Sequence, residues 1–209
     1  MTMYKHIIFD FGGVILDLGG KHTGIPGDLS RIFTVTEDEA VKIWAENKEE
    51  LLTGKETPEE FLTAVAKILH SHIDIKEAYE KWKAYNRVEK SRIDWKLLEY
   101  VKHLRKRYAV HVLTDTIDLD RESDTLIRKV DSHFENVFKS YEEKLRKPDK
   151  KAFLNVLMKI NAKPKECIFV DDFQANVTAA SELGMKGVLF TNLGALRKDF
   201  EKLGIAAEN

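Results

Sequence analysis

Four short apolar runs organise the chain: HIIF ahead of Asp10, AVHVL ahead of Thr114, CIFV ahead of Asp171 and GVLF ahead of Thr191. Each is rich in Ile, Val or Phe and stops abruptly at a polar residue, which predicts strands buried on both faces. Helical patterns lie at about 123–131, 149–160, 172–183 and 194–203, with Gly184 suited to a C-cap. Strand and helix alternate, so the expected fold is α/β, a Rossmann-like three-layer core whose parallel sheet is covered by helices on both sides.

The interval between the first two runs is far too long for one crossover, and its pattern is helical throughout. Thr36-Glu37-Asp38-Glu39 has the spacing of a capping box ahead of AVKIWAENKEELLT, which Gly54 stops, and Thr57-Pro58-Glu59-Glu60 opens a second helix with proline at its first position. A third begins near Asp74 and carries Ala78, Trp82 and Tyr85 along one face. These observations predict a small α-helical insert at 18–90 and a core made of 1–17 and 91–209. The glycine-rich GGKHTGIPG and the stretch near Asn86–Arg92 serve as its two connections.

The 209 residues, 43% of them hydrophobic, suit one such core plus a modest insert. Thirty-four basic against 35 acidic residues leave a net charge of −1, so no global field draws the chain to nucleic acid or anionic lipid. The single cysteine, Cys167, excludes an internal disulfide and a cysteine-based zinc site, which makes a reducing cytoplasm the expected location. The few apolar residues before Asp10 are too short for a signal peptide's apolar region, and no run approaches a membrane span. Abundant Lys and Glu with one Gln lean toward a heat-adapted source.

In an open parallel sheet the loops leaving the carboxyl ends of the strands share one rim, where ligands bind. That rule brings Asp10, Thr114, Asp171 and Asp172 together. Carboxylates crowded there repel unless a cation neutralises them, and Mg²⁺ is the hard, oxygen-loving ion that one or two carboxylates, water and a substrate phosphate hold. Lys147, in LRKPDKKAF, adds a fixed positive charge, and Thr114 a hydroxyl followed by backbone amides. A carboxylate, a lysine, a hydroxyl and Mg²⁺ around one tetrahedral anion is an arrangement for phosphoryl transfer.

HIIFDFGGVILD, VHVLTD, RKPDKKAF and CIFVDDFQAN, in that order with a helical insert between the first two, resemble the four motifs of the haloacid dehalogenase-like (HAD) hydrolase superfamily. The resemblance covers nearly the whole chain and implies a helical cap of the first type at the insert. It further implies that Asp10 is the nucleophile that becomes an aspartyl-phosphate, and that Thr114 and the backbone amide of Asp115 bind phosphate oxygens. Lys147 would stabilise nucleophile and phosphate. Asp10, the backbone carbonyl of Gly12, Asp171 and Asp172 would hold Mg²⁺, and Asn176 stands where relatives often have a further acid.

The chain departs from that pattern at Gly12, where the family's phosphatases usually carry a second aspartate as general acid and base. Positioned acid–base catalysis is worth roughly 10²–10⁴ in rate, so its loss predicts a slower phosphatase that is more sensitive to its leaving group. The leading expectation is a Mg²⁺-dependent phosphatase of a small phosphorylated metabolite, with no nucleic-acid or membrane partner and the oligomeric state left open. The alternatives are a metal-independent haloacid dehalogenase, against which the Asp171-Asp172 pair argues, and a non-catalytic phosphate-binding or partner-binding relative, which Gly12 suggests.

Several other features have plainer readings. Asp171-Asp172 also suit the N-terminus of the helix that follows, and the two roles are compatible. The acidic stretch Asp118, Asp120, Glu122 and Asp124 lacks the glycine and the terminal acid of a calcium loop, having Ser123 and Lys129 instead, and reads as a solvated helix entry. His70 and His72, two apart, point to different faces of a helix and suit the surface. Trp44, Trp82 and Tyr85 suit the insert's core, Cys167 suits packing, and Lys21 and His22 suit a solvated loop.

Overall fold

The computed structural model of the chain describes residues 4–17, 24–87, 90–119 and 125–205. Five strands, β1 (His6–Phe9), β2 (Ala109–Thr114), β3 (Asn136–Lys139), β4 (Cys167–Asp171) and β5 (Lys186–Leu189), form one parallel sheet in the order β3-β2-β1-β4-β5. The period of two along the strands divides their side chains between two helical layers. Ile7, Phe9, Val110, Val112, Ile168 and Val170 face α5 (Trp95–Leu104), α6 (Thr125–Asp131) and α10 (Leu193–Lys202). Ile8, Leu113, Cys167 and Phe169 face α8 (Lys150–Lys159) and α9 (Gln174–Glu182). Phe153 meets Phe169 edge-on with ring centroids 5.1 Å apart. The expected α/β core with helices on both sides is what the chain forms.

Four elements differ from the sequence pattern, one of them the short helix directly after β3 that is described below. NVFK forms the edge strand β3; with one buried side chain and charged neighbours it carries no continuous apolar run. IPGDLSRIF is α1 (Ile25–Phe33), hidden within a stretch that reads as a glycine-rich connection because Pro26 and Gly27 occupy its first turn. WKLLEYVKHL, with Asp94 capping the amide of Leu97, is α5.

The helical unit comprises α1, α2 (Glu37–Leu52), α3 (Pro58–Ile68) and α4 (Ile75–Tyr85). Both capping boxes form, Thr36 with Glu39 and Thr57 with Glu60, and Asp74 caps α4 by accepting from the amide of Glu77. The unit has its own apolar cluster, in which fully buried Trp82 lies against Phe61, centroids 5.7 Å apart, and Trp44 meets Phe61 edge-on. Tyr85 packs against this cluster, and His70 and His72 are exposed. Ile117 and Leu119, from the loop after β2, are buried in the same cluster. The two connections run side by side: Leu16 bridges Ile93, the amide of Asp17 donates to the carbonyl of Arg92 at 2.8 Å, and that of Asp94 to Ile15 at 3.0 Å. Among the described residues no helix is long and apolar enough to cross a membrane.

A short helix, α7 (Ser140–Glu143), follows β3 directly. Its buried Ser140 hydroxyl donates to the carbonyl of Thr116 and accepts from the Thr116 amide, which pins the loop leaving β2.

Candidate active site

The sheet register brings the candidate residues to one rim. Phe9 lies opposite Val170 on one side and Val112 on the other, so Asp10 emerges beside Asp171 and close to the end of β2 at Thr114. The amide of Asp10 donates to the carbonyl of Val170 at 2.8 Å, extending the ladder to the last residue before the turn.

Lys147 joins the groups. Its side chain, 2% exposed, reaches the rim from the segment before α8, and Nζ lies 2.7 Å from Asp10 Oδ1 and 2.8 Å from Asp171 Oδ2. Burial works against its ammonium, but the charges of Asp10, Asp171 and Asp115 outweigh it and hold the lysine above its ordinary range. Asp171 is fully buried: Asn176 Nδ2 donates to Oδ2 at 3.0 Å and the amide of Phe173 to Oδ1 at 2.8 Å. Asp10 accepts the amide of Phe11 at Oδ1, 2.7 Å away. Burial first, then the nearby Asp171, push the Asp10 carboxyl up to about 7 against the pull of Lys147. Asp172, which keeps one side open to solvent, is also raised, by partial desolvation of its inner side and by the nearby Asp171.

One oxygen each of Asp10, Asp171 and Asp172 lie within 4.8 Å of one another, a hard-donor cluster with a surplus of negative charge that fits a small divalent cation. Asp172 is exposed, and its carboxylate rests against the turn after β1. That turn is closed by the amide of Gly13 donating to the carbonyl of Leu16 at 2.8 Å, with Gly12 bridged to Leu16. Gly13 has φ +75°, and a Cβ there would stand 2.1 Å from Asp172 Oδ2, so only glycine permits this approach.

Thr114 and Asp115 follow from β2. Thr114 is buried and borders, with Phe11, a cavity of about 350 Å³ walled by Thr116, Ile127 and Val137. The side chain of Asp115 has a role that the sequence reading did not assign: its Oδ1 accepts the amide of Lys147 at 3.1 Å, and Oδ2 lies 3.5 Å from Arg146 Nε. Burial raises its carboxyl. Asp10, Lys147, Asp171 and Asp172 thus come together, with Asn176 on Asp171. Of the acidic stretch, Asp118 is exposed, while Asp120, Glu122 and Asp124 lie outside the described residues, as do Lys21 and His22. Cys167 is buried at the start of β4, on the side away from the rim.

A family model for haloacid dehalogenase-like hydrolases matches residues 4–184. The chain belongs to this family. Among curated HAD relatives, a D-ribitol-5-phosphate phosphatase of Bacteroides thetaiotaomicron is 24% identical over 192 residues, 88% of this chain and 90% of that protein. A glyceraldehyde 3-phosphate phosphatase of Pyrococcus furiosus is 32% identical over 87 residues, covering 41% of this chain and 36% of the other. A HAD family enzyme of Bacteroides thetaiotaomicron in complex with magnesium and inorganic phosphate shares the fold, with TM-score 0.73 and 23% identity over 92% of this chain and 98% of that one. An L-2-haloacid dehalogenase of Xanthobacter autotrophicus has the same architecture at TM-score 0.63 and 16% identity, covering 98% of this chain and 85% of that one. Like its family, the chain is a hydrolase.

Proposed function

We propose that this HAD hydrolase is a Mg²⁺-dependent phosphatase of a small phosphorylated metabolite and works through an aspartyl-phosphate on Asp10. The observation that carries this reading is the buried ammonium of Lys147 held between Asp10 and Asp171, with the Asp172 carboxylate within reach of both acids. Asp10, Asp171, Asp172 and the carbonyl of Gly12 would hold Mg²⁺, which would supply charge neutralisation for the phosphoryl oxygens.

The chain's own residues then have distinct tasks. Asp10 attacks phosphorus, forming an acyl phosphate as the ester P–O bond breaks and the bonding pair leaves with the alcohol oxygen. Lys147 favours the ionised form of Asp10 and offsets the charge that builds on phosphate; Thr114 Oγ1 and the amide of Asp115 donate to the transferred oxygens. Asn176 and the amide of Phe173 hold Asp171, which in turn holds Lys147. Water then attacks the phosphorus of the acyl phosphate and releases inorganic phosphate and free Asp10. Gly12 brings no proton donor to the leaving oxygen, so esters of acidic alcohols turn over faster than esters of simple ones.

The relative that aligns over most of both chains is a D-ribitol-5-phosphate phosphatase, so five-carbon polyol and sugar phosphates head the substrate panel. The test is hydrolysis of p-nitrophenyl phosphate: chelator abolishes it, Mg²⁺ restores it, and Asp10→Asn lacks it. Undiminished turnover by Asp10→Asn refutes the assignment. Chloride release from 2-chloropropionate in EDTA points to a dehalogenase instead.

A further inference from the structure

The segment between α7 and α8 carries three cations in four residues, Lys144, Arg146 and Lys147. Only Lys147 enters the site. Lys144 Nζ donates to the carbonyl of Gly54, at the end of α2, at 2.6 Å. Arg146 Nη1 reaches Glu49 of α2 at 2.7 Å, while its Nε faces Asp115 Oδ2 at 3.5 Å. Asp115 accepts the amide of Lys147. A continuous set of contacts therefore runs from the helical unit through Arg146 and Asp115 to the backbone of the lysine that grips Asp10.

Two further observations show that this contact is close and unfinished. Gly54, with φ +60°, lies so near the core that a Cβ there would stand 2.3 Å from the carbonyl oxygen of Tyr141 and 2.7 Å from Lys144 Nζ. Arg146 Nε is buried and makes no hydrogen bond among the described residues, although a carboxylate oxygen lies just beyond range. The guanidinium is divided between an acid of the helical unit and an acid of the site, with the better contact on the helical side. A fork with a fixed planar geometry cannot serve two carboxylates without their positions being correlated.

We propose that Arg146 is a positioning residue that makes the placement of Lys147 depend on the docking of the helical unit, through Glu49 on one side and Asp115 on the other. Docking brings Glu49 onto Arg146, which sets Asp115 and through it the Lys147 amide; withdrawal of the unit frees the guanidinium and loosens the lysine. The catalytic part of this inference rests on the phosphatase reading, whereas the mechanical part does not.

The experiment uses the full chain and two measurements. Hydrogen exchange of the Lys147 amide, followed by NMR, quickens at least about threefold in Glu49→Gln and further in Arg146→Gln, while amides in the middle of α8 keep their wild-type rates. Arg146→Lys, which can reach one carboxylate at a time, falls between. With p-nitrophenyl phosphate and Mg²⁺, Arg146→Gln lowers kcat about three- to tenfold with KM changed less than twofold, and Glu49→Gln/Arg146→Gln is no slower than Arg146→Gln alone. Wild-type exchange at Lys147 in Glu49→Gln, or fold-losses that multiply in the double variant, overturns the proposal. Absence of any wild-type turnover refutes the phosphatase reading, and the exchange rates then decide the coupling by themselves.

Discussion

Gly13→Ala tests the proposed Mg²⁺ site without removing any of the residues assigned to it. The turn after β1 holds Gly13 at φ +75°, where a side chain costs about 1–2 kcal/mol. The added Cβ would stand 2.1 Å from Asp172 Oδ2 and 2.5 Å from its Cγ, against the 3.0 Å below which real contacts essentially never fall. The carboxylate must retreat by about 0.9 Å or rotate away, and because Asp172 is exposed it does so at little cost to the fold. Octahedral Mg²⁺ holds its oxygens near about 2.0–2.1 Å, so a shift of that size removes the ligand. Losing one charged ligand of three predicts at least about a tenfold loss of Mg²⁺ affinity, a change of about 1.4 kcal/mol. Calorimetric titration with Mg²⁺ reads this directly, and p-nitrophenyl phosphate hydrolysis as a function of Mg²⁺ reads it again, with much of the activity recovered at high metal. Thermal denaturation in EDTA should show only the modest backbone cost. Wild-type Mg²⁺ affinity in folded Gly13→Ala would refute the claim that Asp172 binds the ion from the position it occupies here.

Two predictions concern stability. His111, 2% exposed, stacks on His6, accepts Asn136 Nδ2 at its Nδ1, 3.1 Å away, and through Nε2 donates to His6 Nδ1 at 3.2 Å; burial and the neighbouring His6 hold its pKa down at about 4. The unfolded chain binds the proton near pH 6.5, so stability is whole above that pH and falls as pH drops toward 4, by at most about 3 kcal/mol. Urea midpoints at pH 7.5 and 4.5 should therefore differ less in His111→Leu than in the wild type, and equal differences would remove His111 from the account. Trp82→Ala should cost about 3–5 kcal/mol by emptying the cluster around Phe61. Trp82→Phe should cost far less, because it also removes a buried indole N–H that has no partner among the described residues; equal losses by urea denaturation would contradict that reasoning.

What the sequence disclosed, and what it hid, follows from where the information sits. β1, β2 and β4 are central strands buried on both faces, so HIIF, AVHVL and CIFV are largely apolar, broken within only by His111, and their ends are marked by Asp10, Thr114 and Asp171. The edge strand β3 buries one side chain in four, and nothing in NVFK distinguishes it from a loop. GVLF ends one residue beyond β5 because Phe190 is buried after the strand has finished. The capping boxes were legible since they are local, each confined to four consecutive residues. The side-chain role of Asp115 was not, since it depends on Lys147 arriving 32 positions later. Arg146 was equally hidden: in RKPDKKAF one cation enters the site and its neighbour turns to Glu49, a division that chain order alone does not express.

The contacts of the helical unit lie close in sequence to the groups that the proposed mechanism places around the substrate. Its connections leave the core just after the Gly12–Gly13 turn, and Leu16 bridges both Gly12 and Ile93. Ile117 and Leu119 enter its apolar cluster two and four residues beyond Asp115, and Lys144 and Arg146 touch α2 immediately before Lys147. The end of β4 is held differently, by Asn176 and the Phe173 amide from within the core. The proposed phosphoryl transfer asks for this division, because the charge-neutralising acids serve every substrate alike and gain from rigidity, whereas the leaving group, which differs between substrates, is for the helical unit to accommodate. A helical unit whose contacts fall on three other strand-end loops can therefore change the substrate of the proposed reaction by changing its own surface, while Asp171 and Asp172 at the end of β4 stay as they are.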